Sequence, residues 1–162
     1  MASASPTPLL WIWITLLLAL CLQVMPLADG WQVWRPDWLG LMLIYWCMRA
    51  PYRVGVFHGF VLGLLLDLIE GAPLGLNALM LSLLAFLCAL VYARFRAYSL
   101  VQQAVLIFVL LGTVQLAEQW LRTLFGPFSM HLSFLLSALI GAVLWPWLTT
   151  LFKALGRRLA PD

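Results

Sequence analysis

Charge is what this sequence most lacks. Only 9% of its 162 residues are Asp, Glu, Lys or Arg, while 65% are hydrophobic. A soluble domain carries roughly 25% charged residues, so a water-facing surface is excluded. The length suits one compact domain, and hydrocarbon must cover most of its outside. Cysteine is also sparse: Cys21, Cys47 and Cys88 fall inside apolar runs and form no CxxC pair. That spacing gives no support to disulfide or zinc chemistry. The two histidines, His58 and His131, stand alone with no GxSxG nearby. The nine basic residues, for a formal charge of +3, are scattered in ones and twos. A nucleic-acid surface clusters them on one face. No catalytic residue, cofactor, metal or nucleic-acid partner is therefore expected.

What the chain has in quantity is long apolar runs. A membrane-spanning helix needs about 20 such residues. The expected architecture is all-α, a single polytopic membrane domain over residues 1–162. Its six spans are expected at about 9–28, 31–48, 54–69, 74–93, 100–121 and 131–152. The first run is long for an export signal and no Lys or Arg precedes it, so it reads as a retained helix. The second is difficult. Its strictly apolar part, 38–48, reaches only about 17 Å at 1.5 Å per residue. Either that span starts near Trp31 with a kink at Pro36, or it stays short and is sheltered by its neighbours.

Basic residues set an orientation. With six crossings and the N-terminus inside, Arg49, Arg53, Arg94, Arg96, Lys153, Arg157 and Arg158 are cytoplasmic. Only Arg35 and Arg122 lie outside. This is the direction of the positive-inside rule, and it places both termini in the cytoplasm. Aromatic residues are expected in two interfacial belts. Trp31, Trp34, Trp38, Trp120, Phe125 and Phe128 fall toward the outer boundary. Trp11, Trp13, Tyr45, Trp46, Tyr52, Tyr92, Tyr98, Trp145 and Trp147 fall toward the inner one.

Three groups of small or polar residues interrupt the apolar pattern. Gly55, Gly59 and Gly63 form a doubled GxxxG in the third span. Steps of four residues keep them on one face, where small residues let helices approach closely. Ser133, Ser137 and Gly141 give the sixth span a similar stripe, and it is a candidate mate for the third. Asp67 continues the glycine series, so it is expected to face protein and not lipid, where a carboxylate is costly. Gln115, Glu118, Gln119 and Arg122 lie in roughly a 100° arc of the fifth span, with Glu118 and Arg122 spaced for an ion pair. Together with Asp67, Glu70, Asn77 and Arg35 they make a polar knot near the outer surface, in which Asn77, Arg122 or a donor on an associated membrane protein is the expected partner of Asp67. It fixes helix register, docks a partner, or forms a catalytic or ion-coordinating site. Between the third and fourth spans, Gly71 can end a helix in the left-handed conformation and Pro73 cannot continue one. With Gly75 they form a tight turn.

The order RPDWLGLMLIYW, then APYRVGVFHGFVLGLLLDLIEGAPLGLNAL, resembles the rod shape-determining protein MreD family of Gram-negative bacteria. The shared features are Arg35 to Trp38 opening a short span, Asp67 ending a glycine-rich one, and a turn carrying Gly71, Leu74 and Gly75, with Asn77 at a position often polar. The resemblance is specific over residues 31–80 and compositional elsewhere. It implies a non-enzymatic scaffold of the cell-elongation machinery in the inner membrane, among membrane lipids. It further implies an MreC-like bitopic partner and, through it, the MreB filament and wall-synthesis enzymes (a glycosyltransferase and a penicillin-binding protein). It also implies a fold similar to the substrate-binding subunits of energy-coupling factor transporters. Two rivals remain. An intramembrane aspartyl enzyme would need a second Asp opposite Asp67, where only Glu70 and Glu118 are offered. A vitamin-type transport subunit could build its pocket from the same polar cluster.

Overall fold

The computed structural model describes residues 9–26, 30–31, 34–126 and 133–159. Six helices follow in order: α1 Leu9–Val24, α2 Trp38–Arg49, α3 Val56–Glu70, α4 Leu76–Phe95, α5 Leu100–Phe125 and α6 Ser133–Leu159. No strand occurs among the described residues. Three helices are long and apolar enough to cross a membrane: Leu76–Phe95, Leu100–Phe125 and Ser133–Leu155. α1, at 16 residues, is a shorter apolar helix.

The second run takes the short, sheltered form. α2 has 12 residues and starts at Trp38, beyond Pro36. Two side chains fix that start. Asp37 accepts from the Gly40 N–H at 2.9 Å, and Gln23 of α1 accepts from the Trp38 N–H at 3.0 Å. Pro51 follows its C-terminal end. All nine residues from Leu39 to Cys47 are buried, enclosed by α1, α4 and α6. A helix apolar on every side belongs in an interior, and here it is the axis around which the others stand.

That placement corrects the aromatic assignment. Trp31, Trp34, Trp120, Phe125, Tyr52 and Trp147 are exposed, but Tyr45, Trp46 and Trp145 are core residues. Trp46 is 2% exposed and donates to the Thr15 hydroxyl of α1 at 2.8 Å. Trp145 of α6 donates to Gln103 of α5 at 3.2 Å and packs edge-on to Phe95. Phe128 and His131 lie outside the described residues, as do the side chains of Arg157 and Arg158.

Helix pairing also departs from expectation. α3 packs mainly on α4, whereas α6 packs on α5 and α2. A Cβ on Gly59 would lie 2.5 Å from the Leu81 carbonyl oxygen, and one on Gly63 would collide with the Ala78 backbone. The absence of side chains lets α3 and α4 touch backbone to backbone. Gly55 takes no part: it precedes α3 as its N-cap, and a Cβ there meets nothing within 4 Å. Gly141 faces Leu111 of α5 and Leu41 of α2, not α3. The turn between α3 and α4 holds Gly71 at φ 64° and Gly75 at φ 99°, both left-handed, with Pro73 between them.

Candidate functional site

The carboxylate of Asp67 is 1% exposed and is satisfied entirely by main chain. One oxygen accepts from the Gly75 N–H at 2.9 Å and the Ala78 N–H at 3.3 Å. The other accepts from the Asn77 N–H at 3.0 Å. These are the amides that begin α4, which have no partner within their own helix and sit at its positive end. The stripe Gly59, Gly63, Asp67 therefore runs antiparallel along Leu81–Ser82, Ala78 and Gly75. Neither the Asn77 side chain nor Arg122 is the partner of Asp67. The Asn77 amide turns instead to Glu70 Oε2 at 3.5 Å. Three N–H groups occupy the Asp67 carboxylate, and its hydrogen bonds go to the start of α4 and not to Glu70 or Glu118.

The remaining polar residues surround a recess at one end of the bundle. The C-terminal ends of α1, α3 and α5 and the N-terminal ends of α2, α4 and α6 meet there. Two lobes share Gln23, Gln115, Glu118 and Ser137 in their walls. The first, of about 250 Å³, is completed by Arg35, Gln119, Ser133 and Phe134. The second, of about 230 Å³, adds Asp37, Glu70, Asn77 and Arg122 above an apolar floor of Leu39, Leu66, Met80, Leu81 and Val114. Below that floor lies the packed core.

Charges of both signs are interleaved. Glu118 Oε1 accepts from Arg122 Nη2 at 2.7 Å and Nε at 2.9 Å, one turn apart on α5. Arg35 reaches the Leu22 carbonyl at 3.4 Å. Arg35 and Glu118 act electrostatically on Asp37, and Arg122, Glu118 and Arg35 on Glu70. Among the described residues, two shielded side-chain atoms have no hydrogen-bond partner, Arg35 Nε and Gln115 Oε1. Both belong to this recess.

The structure thus brings Glu70, Asn77, Gln115, Glu118, Gln119 and Arg122 together and sets Asp67 apart in the α3–α4 joint. Ser133 and Ser137 line the recess, and their helix packs mainly on α5. Sequence reasoning missed Gln23 and Asp37. Gln23 carried a signal, a lone amide near the end of an apolar run, and Asp37 another, an N-cap type before Trp38. His58 stacks beside Trp13 of α1 with ring centroids 5.1 Å apart.

Residues 5–155 match the model of the family described as rod shape-determining protein MreD. The chain belongs to the MreD family. The Rod shape-determining protein MreD of Haemophilus influenzae is 34% identical over 146 residues, covering 88% of each chain. This family is a shape-determining one and not a known enzyme family. No solved structure matches the chain. In terms of MreD, the Arg-Pro-Asp-Trp stretch now has a local role: Asp37 caps the central helix, and Arg35 enters the polar recess.

Proposed function

We propose that the chain is a non-enzymatic scaffold of the cell-elongation machinery in the bacterial inner membrane. In this reading it holds an MreC-like bitopic protein. Through that partner it links the MreB filament and the wall-synthesis enzymes, a glycosyltransferase and a penicillin-binding protein, to the upkeep of rod shape. The observation that carries the reading is the family match over nearly the whole chain. All six helices cross, with both termini cytoplasmic. The alternation of helix ends at the recess and the seven-to-two split of basic residues support this. Membership of the family is also the basis for proposing a likeness to the substrate-binding subunits of energy-coupling factor transporters, with which six helices are compatible. On this orientation the recess opens at the outer surface. Its rim, including Glu70 and the Glu118–Arg122 pair, is the proposed docking patch.

Co-purification from native membranes tests the scaffold reading. An affinity-tagged chain should bring down an MreC-like protein, and Glu118→Gln with Arg122→Gln should reduce the yield of that partner without reducing folded chain. Recovery of an ATP-hydrolysing transport module in its place would overturn the reading in favour of a transport subunit.

A further inference from the structure

The recess is better equipped than a docking rim requires. We propose that it binds a polyhydroxylated group, a sugar or glycerol moiety, presented either free or as the headgroup of a lipid. Five observations converge on that chemistry. The two joined lobes, about 250 and 230 Å³, provide a cleft of the size that small ligands occupy. The amides of Gln23, Gln115 and Gln119 each offer both a donor and an acceptor, as does the Ser137 hydroxyl. A hydroxyl group is likewise donor and acceptor, and adjacent hydroxyls match such a wall pairwise.

The two unpartnered atoms sharpen the argument. Arg35 Nε is a donor and Gln115 Oε1 an acceptor, and both are shielded from bulk solvent. Shielded polar groups are nearly always paired, and leaving them unpaired costs stability. A polyhydroxylated group can satisfy both, one hydroxyl oxygen accepting from Arg35 while another hydroxyl donates to Gln115. Charge narrows the class further. A bare anion would face Glu118, Asp37 and Glu70, and a bare ammonium would face Arg35 and Arg122. A neutral hydroxylated group meets neither repulsion. Phe134 in the wall of the first lobe offers an apolar face to the C–H side of such a group. The inference rests on this geometry and not on the scaffold role.

The test uses the full chain in phosphatidylethanolamine nanodiscs. In one arm glucose or glycerol is titrated; in the other, phosphatidylglycerol or a diglucosyl diacylglycerol is introduced into the disc, with phosphatidylserine as the charge control. Native mass spectrometry and thermal unfolding read binding. One arm should give a saturable adduct and a raised melting temperature, and the arm that responds identifies the source. Gln115→Leu should bind at least about tenfold more weakly, the loss of roughly one good hydrogen bond. Because the Gln115 amide also hydrogen-bonds Asp37, the unliganded melting temperature is measured alongside, and binding is compared at a temperature where both proteins are folded. If it does not fold, Ser137→Ala is read in the same way. Absence of saturable binding in both arms, meaning that water alone fills the recess, overturns the proposal. So does equal binding by the variant, or equal retention of phosphatidylserine and phosphatidylglycerol, which would indicate charge alone. Co-purification of a protein partner is unaffected by any of these outcomes, so the two readings fail separately.

Discussion

Replacing Asp67 gives the sharpest test of how α3 and α4 are joined. Its carboxylate holds three amide N–H groups that begin α4, at 2.9, 3.0 and 3.3 Å. Hydrogen bonds to a charged group contribute about 1.5–3 kcal/mol each, and the favourable field at a helix N-terminus adds about 0.3–1 kcal/mol. Against this stands the cost of burying the carboxylate, which its removal relieves. Asn77 and Ala78 are buried, so their N–H groups are not rehydrated when the acceptor is lost. We expect Asp67→Ala to cost about 3–5 kcal/mol. Asp67→Asn keeps one acceptor oxygen but turns an NH₂ toward backbone donors, and should cost about 1–3 kcal/mol. Asp67→Leu loses every acceptor and adds bulk beside the Gly63–Ala78 contact, so it should yield little folded protein. Reversible unfolding in mixed micelles, followed by tryptophan fluorescence, measures the series. The predicted order is wild type above Asn, Asn above Ala, Ala above Leu. If Leu or Ala were as stable as wild type, the capping argument would be wrong. If Asn fell as far as Ala, charge and not hydrogen bonding would be the main contribution.

Further outcomes follow from the same contacts. Gly59→Leu should sharply reduce folded protein in size-exclusion profiles, because even a Cβ lies 2.5 Å from the Leu81 carbonyl; Gly55→Ala should leave the profile unchanged, since nothing lies within 4 Å there. Equal behaviour of the two would place the wrong face of α3 against α4. Reporter fusions should score cytoplasmic at residues 50 and 95 and periplasmic at 72; an outside score at 50 would defeat the six-crossing arrangement. Trp46→Phe should cost about 1 kcal/mol through loss of its bond to Thr15, and a double-mutant cycle with Thr15→Val should show coupling of similar size. Zero coupling would mean that the Trp46–Thr15 bond adds nothing to the α1–α2 contact beyond packing.

The sequence by itself determined the class of this protein and most of its helices. Hydrophobic runs report burial or lipid exposure directly, because each residue's transfer preference is local, so the helices at Leu9, Leu100 and Ser133 start within two residues of their apolar runs, although α6 extends seven residues beyond its run. The left-handed Gly71 was legible for the same reason, since that backbone is a single-residue preference, whereas Gly75 was read only as part of the turn. Partnership was not. The stripe Gly59–Gly63–Asp67 showed that α3 has a packing face, yet a small-residue stripe carries no address, and Ser133, Ser137 and Gly141 offered an equally good mate. Only the tertiary structure assigned that face to α4 and gave Asp67 the amides of Gly75, Asn77 and Ala78. Backbone donors carry no signature in the residue alphabet, so an aspartate capping a neighbouring helix reads in sequence as an aspartate awaiting a side-chain partner. Trp46 and Trp145 illustrate the same limit, since a tryptophan near a helix end reads as interfacial until the short central helix draws its neighbours inward. The recess was half visible, as polar residues on α5, but its closure by Gln23, Asp37 and Ser137 depends on where six helix ends converge. That convergence is set by contacts between residues distant in the chain, which no local periodicity encodes.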